Sequence, residues 1–85
     1  MNIYQKISVE ILKYLDKMDN DEEFKKTCPD IKAVEYLIAK VNPDISPQRL
    51  MNILSGKAKR ITLKEVCIIC HWLNIEVPDL FRDIE

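Results

Sequence analysis

Ile45-Ser46-Pro47-Gln48-Arg49-Leu50-Met51-Asn52-Ile53-Leu54-Ser55-Gly56-Lys57 is the stretch on which the fold turns. Ser46 offers a side-chain oxygen to the free backbone N–H groups at a helix start, and proline suits the first helical position. Leu50, Ile53 and Leu54 then fall on one face. Gly56, the only glycine in the chain, stands where a left-handed C-terminal cap is wanted. The spacing predicts a helix over 46–55 with an apolar inner face and a polar outer one.

On the C-terminal side, Thr62-Leu63-Lys64-Glu65 reads as a capping box, with Ile61 and Val66 placed for a hydrophobic staple. That helix is expected over 62–73, with Asn74 as a left-handed cap. Val77-Pro78-Asp79 starts a last short helix, over 78–83, carrying Leu80 and Phe81. On the N-terminal side, Asp30 is expected to cap a helix over 31–41, whose stripe is Val34, Leu37, Ile38 and Val41. Asn42 suits a left-handed end to it, and Pro43 stops it. Residues 2–18 form an amphipathic helix in which Ile3, Ile7, Ile11 and Leu15 step by four, Met18 follows, and Leu12 and Tyr14 widen the stripe. The acidic run from Asp19 to Glu23 reads either as a loop or as the start of a short helix over 21–27 holding Phe24. Acids suit a helix N-terminus, which favours the helix. No stretch alternates with period two. The expected fold is all-α: a compact five-helix domain, with 21–27 as an additional short helix.

The 85 residues fit one domain, and 47% hydrophobic with 32% charged residues is the balance of a folded chain. No apolar run approaches the ~20 residues of a membrane span. The N-terminus does not resemble a signal peptide, so the expected location is the cytoplasm. Three cysteines, an odd number, do not suggest a disulfide framework. The net charge of −1 is unlike that of most nucleic-acid binders, but it is segregated. Residues 40–64 carry Lys40, Arg49, Lys57, Lys59, Arg60 and Lys64 against Asp44 alone, between acidic ends. Exposed charges act mainly within a Debye length of about 8–10 Å, so this basic stretch can serve phosphate by itself.

Residues 45–57 resemble the recognition helix and glycine cap of the phage Cro and lambda-repressor-like (Xre-type) helix-turn-helix family. Thr62-Leu63-Lys64-Glu65-Val66 with Ile69, Cys70 and Leu73 is similar to that family's next helix, and Asn74 to Phe81 to its closing segment. Leu37 to Asn42 matches the preceding helix more loosely. The chain departs from the pattern at Ala33 and Val34, where the family often has a phosphate-contacting glutamine. It departs also at Asn42, which replaces a glycine, in the Pro43-Asp44 lengthening of the turn, and in the long segment 19–30. The resemblance implies that Gln48, Arg49 and Asn52 face the major groove, with Ser46 at the leading end. Side-chain chemistry agrees, since arginine pairs with guanine and Gln or Asn with adenine. Lys57, Lys59, Arg60, Lys64 and Ser55 would then contact phosphate.

Other readings compete. Cys67-Ile68-Ile69-Cys70-His71 matches the C-x-x-C-H signature of covalent haem attachment, but it lies within an amphipathic helix where Cys70 takes a small core position. Zinc would need Cys67, Cys70, His71 and the distant Cys28, whereas structural zinc ligands usually come from turns. Cys70 and His71, adjacent on a helix, point about 100° apart and are poorly placed as a nucleophile–base pair. No catalytic residue, metal or cofactor is therefore expected. Ile68, Trp72 and Ile75 lie beyond the stripe the core needs. They form either a dimer or partner surface, with Tyr14 or Tyr36 nearby, or a face covered by the first and last helices. The expectation is a non-enzymatic, sequence-specific DNA-binding transcriptional regulator of the phage- or mobile-element-repressor type. Its partners would be double-stranded DNA and a second copy, without membrane or small-molecule ligand. The alternative is a protein–protein interaction module on the same fold, binding a partner in the manner of an antitoxin.

Overall fold

Six helices follow one another in residues 1–82 and 84, the residues that the computed structural model describes, and no strand occurs among them. They are α1 (Ile3–Asp19), α2 (Glu22–Thr27), α3 (Ala33–Val41), α4 (Pro47–Leu54), α5 (Leu63–Leu73) and α6 (Val77–Arg82). The expected five-helix count is therefore corrected to six. Residues 22–27 are helical because Asp21 caps them through Glu23 N (3.1 Å) and because Glu22 and Glu23 open the helix while Lys25 and Lys26 close it. Both arrangements favour the helix dipole. Phe24 then anchors α2 edge-on to Tyr36 of α3, with ring centroids 5.6 Å apart. The expected extension of the last helix to Asp83 lies outside the described residues.

Two further expectations are corrected. Asp30 does not cap α3, which begins two residues later than expected. The first N–H groups of α3 are met instead by Asp19 Oδ1, which accepts from Ala33 N at 2.7 Å, and by Glu35 Oε1, which accepts from Lys32 N at 3.2 Å. Asp19 belongs to the end of α1, so the cap also joins two helices. Asn42 is not left-handed: its φ and ψ are −74° and 137°, the extended conformation that a following proline imposes. The left-handed ends are Gly56 (φ 78°) and Asn74 (φ 58°).

In α1, Asn2 and Gln5 form a reciprocal capping box. Ile7, Ile11 and Leu15 are buried, while Ile3 and Leu12 stay exposed, so the buried stripe is narrower than the sequence stripe. α1 packs against α2, α3, α4 and α6, α5 packs against α3 and α6, and the whole measures 35 × 27 × 19 Å. Ile11, Leu37, Leu50, Ile53, Ile69 and Leu80, from five helices, meet at the centre with no exposed surface. Each such side chain contributes about 1.5–3 kcal/mol against its exposed state. One polar group joins them: the buried Ser8 hydroxyl of α1 bonds to the Ile53 carbonyl of α4. The position of α4 is thus fixed from behind by apolar packing and by a hydrogen bond.

Candidate nucleic-acid interface

α4 turns Leu50, Ile53 and Leu54 inward and leaves Ser46, Pro47, Gln48, Met51 and Ser55 exposed. Asn52 and Arg49 lie half-buried at the edge of that outer face. Pro47 occupies the first turn, and Ser46 Oγ accepts from Arg49 N at 3.2 Å, so the serine oxygen serves the cap. At the other end, Lys57 N donates to Asn52 O at 3.0 Å and Gly56 N to Ile53 O at 3.3 Å. This is the paired arrangement that closes a helix through a left-handed residue. On the outer face, Gln48 Nε2 donates to Asn52 Oδ1 at 3.2 Å, one helical turn further on. Ser55 Oγ donates to the Asn52 carbonyl at 3.2 Å.

Arg49 does not project freely. Its Nε donates to Glu65 Oε2 at 2.7 Å, and its Nη2 donates both to Glu65 Oε1 at 2.9 Å and to the Arg60 carbonyl at 2.7 Å. This is a two-pronged guanidinium–carboxylate pair, the stronger kind of ion pair. Glu65 is also the third residue of the α5 capping box, accepting from Thr62 N at 2.9 Å, while Thr62 Oγ1 accepts from Glu65 N at 3.1 Å. The hydrogen bond from Arg49, aided by those from Thr62, holds the Glu65 carboxyl down at about 2 against the opposing cost of burial. The same bond raises the Arg49 pKa. One carboxylate therefore caps α5 and clamps α4 to it.

Lys57, Lys59 and Arg60 lie between the two helices and Lys64 in the first turn of α5, all exposed. Ala58 and Ile61 are buried and hold this loop against the body. The clamp neutralises Arg49 locally, so the free positive charge next to α4 comes from these four side chains. Ser46 and Gln48 thus share the exposed side of α4 with Asn52 at its edge, Lys57 follows the helix directly, and the Arg60 backbone is tied to the helix through Arg49. Sequence reasoning missed Met51, which is 45% exposed; its spacing of three from Gln48 places it on the same outer face. It also missed the link from Glu65 to Arg49, because a capping box announces only its local half.

The other singled-out residues lie elsewhere. Ile68, Trp72 and Ile75 are half-buried against the core. Trp72 lines an open groove of about 330 Å³ with Phe24, Tyr36 and Met18, and Lys40 Nζ lies 5.4 Å from the Trp72 ring and 5.6 Å from that of Tyr36. Trp72 thus has α2 and α3 as neighbours at that groove. In the C-x-x-C-H segment the side chains diverge: Cys67 and His71 are exposed, whereas Cys70 is in the core. Burial, and secondarily the nearby Cys67, push the Cys70 thiol up to about 11. His71 meets Trp72 edge-on at 4.9 Å. Among the described residues no group of three or more His, Cys, Asp or Glu side chains is placed to hold a metal ion, and no helix is long and apolar enough to cross a membrane.

Comparison of the chain with family models, with curated proteins and with solved structures gives no match in any of the three.

Proposed function

We propose that this chain is a DNA-binding transcriptional regulator that lays α4 in the major groove of a duplex and holds the flanking phosphates with Lys57, Lys59, Arg60 and Lys64. The observation that supports this reading is the polar outer face of α4 followed by a segment, residues 57–64, whose every charge is positive. An α-helix with its side chains is about 10–12 Å across, which the ~12 Å wide major groove admits. A single module of this size contacts few base pairs. A two-fold pair of copies, reading half-sites about one turn apart, would give an operator-length site. The acidic ends of the chain lower its net charge without removing this local field, because screening confines exposed charges to about 8–10 Å.

Fluorescence anisotropy with labelled duplex over a salt series tests the proposal. Binding should weaken steeply as salt rises, and Lys59→Ala should lower the slope of log K against log salt by about 1. A folded chain that shows no binding at low salt would exclude the DNA reading. A second reading, a protein-interaction module on the same fold, is favoured by one observation. Met1, Val9 and Leu12 expose apolar surface along an open groove of about 310 Å³ bordered by Leu54 and Gly56. Retention of a partner protein that is insensitive to salt and to Lys59→Ala would support it.

A further inference from the structure

We infer that the groove lined by Trp72 is a binding site for a small alkylammonium ligand, whose charge is met by the Tyr36 and Trp72 rings and by the carboxylates of Asp21 and Glu23. No residue of α4 lines this groove, so its occupancy does not depend on DNA binding. The sequence alone points to no small-molecule ligand, because the groove exists only in the fold: Phe24, Tyr36 and Trp72 come together from α2, α3 and α5.

A volume of about 330 Å³ is that of a small-ligand site. Phe24, Tyr36, Trp72 and the Met18 thioether line it, and the planes of Phe24 and Tyr36 stand at 83° to one another. The charged side chains that line it among the described residues are Asp21 and Glu23, both negative, and neither is in an ion pair among those residues. Asp21 Oδ1 accepts from Glu23 N, a backbone bond that leaves the charge uncompensated by a cation. Aromatic faces attract cations through their quadrupole, and the chain displays that attraction here. The exposed Lys40 places its Nζ 5.4 Å from the Trp72 ring centroid and 5.6 Å from that of Tyr36. Its ammonium stands in for the head of a ligand, which would displace it. The groove beside Met1, Val9 and Leu12 has neither an aromatic ring nor a charged side chain in its lining, so the combination is particular to the Trp72 groove. Two carboxylates repel an anion, and a neutral apolar ligand leaves them without a counter-charge. An alkylammonium covers the rings with its carbon groups and answers both acids with its charge.

Trp72 is the only tryptophan in the chain, so its fluorescence reports on the groove directly. The test titrates the full chain, at constant ionic strength, with choline and with its uncharged isostere, in which a tert-butyl group replaces the trimethylammonium. Choline should change the Trp72 emission saturably, and the isostere should bind about fivefold more weakly or less. Asp21→Asn combined with Glu23→Gln removes both charges and keeps the α2 cap, since asparagine caps as well as aspartate. That variant should melt with the native chain, bind choline several-fold more weakly and bind the isostere unchanged, a pattern that a merely structural role for the two acids would not produce. Lys40→Gln, an exposed change, should tighten choline binding several-fold by removing the competing cation. An emission change that rises without saturating, equal affinity for choline and its isostere, or choline affinity that neither variant moves in the stated direction would overturn the assignment.

Discussion

Replacing Glu65 by glutamine isolates the clamp between α4 and α5, because glutamine preserves the reciprocal cap with Thr62 and removes only the charge that Arg49 holds. The magnitude follows from the carboxyl, which lies at about 2 in the folded chain against an ordinary value of 4.5. At 1.36 kcal/mol per pH unit the ceiling is about 3 kcal/mol. The Glu65 side chain is 15% exposed and that of Arg49 35%. Solvent screening of a pair this shallow reduces the contribution to about 1–2 kcal/mol. The folded value is depressed, so this stability is fully present above the unfolded value near 4.5 and is lost as pH falls through about 2. For a domain of this size, 1 kcal/mol moves the Tm by roughly 4–8 °C. Thermal unfolding followed by circular dichroism, from neutral pH down to about pH 2, should show the native chain melting about 5–15 °C above Glu65→Gln at neutral pH. That gap should hold down to about pH 5 and close below it. Other carboxylates titrate in both proteins and cancel in the difference. A gap that stays constant across the acid range, or no gap at neutral pH, would refute the argument that Glu65 acts as a charge.

Two further outcomes follow from the caps and the core. Gly56→Ala should destabilise by about 1–2 kcal/mol in urea unfolding, because an added Cβ would meet only Gln5 Cγ at 3.9 Å and the cost is therefore that of the positive φ, 78°. Gly56→Asn should cost less, since asparagine enters the left-handed region more readily. Alkylation followed by intact mass should modify the exposed Cys67 in the folded chain and reach Cys70, buried and with its thiol pushed up to about 11, only on unfolding; equal rates at the two positions would contradict the burial of Cys70.

The sequence is most legible where the determining contacts are close along the chain. Ser46-Pro47, the Thr62–Glu65 box, Gly56 and Asn74 each act within a single turn of helix, and each does what its residue type and spacing imply. Buried positions of α4 and α5 are legible for the same reason, through helical period. Contacts across the chain are not. Asp30 and Asp19 are equally plausible acceptors by residue type, yet Asp19 takes the N–H of Ala33, 14 residues away, because packing brings the end of α1 to the start of α3. The stripe on α1 overstates burial at Ile3 and Leu12, since a period marks a face and not how much of it another helix covers. The all-helical class was legible in full, while the sixth helix was not decided, because the acids of 19–23 suit either a loop or a helix start and the Phe24–Tyr36 contact that settles α2 is tertiary.

Arg49 shows why the candidate site was only partly legible and how its parts depend on one another. By residue type it is the best guanine reader on α4, and its position is on the outer half of that helix. Its partner is a carboxylate 16 residues onward, whose capping role already explains its presence in the sequence. The same guanidinium holds the Arg60 carbonyl at 2.7 Å, so it fixes the backbone of the basic loop as well as the start of α5. On the proposed function, the base-facing amides of α4 and the phosphate-facing cations of the loop then share one rigid frame. Phosphate contacts set the register in which bases are read, and a frame that couples the two converts nonspecific attraction into a defined register. Lysine cannot reproduce this, because an ammonium lacks the planar fork that spans a carboxylate and a carbonyl together. On that proposal Arg49 serves as the joint between the two surfaces rather than as a contact of its own, because its Nε and Nη2 are bonded to Glu65 and to the Arg60 carbonyl.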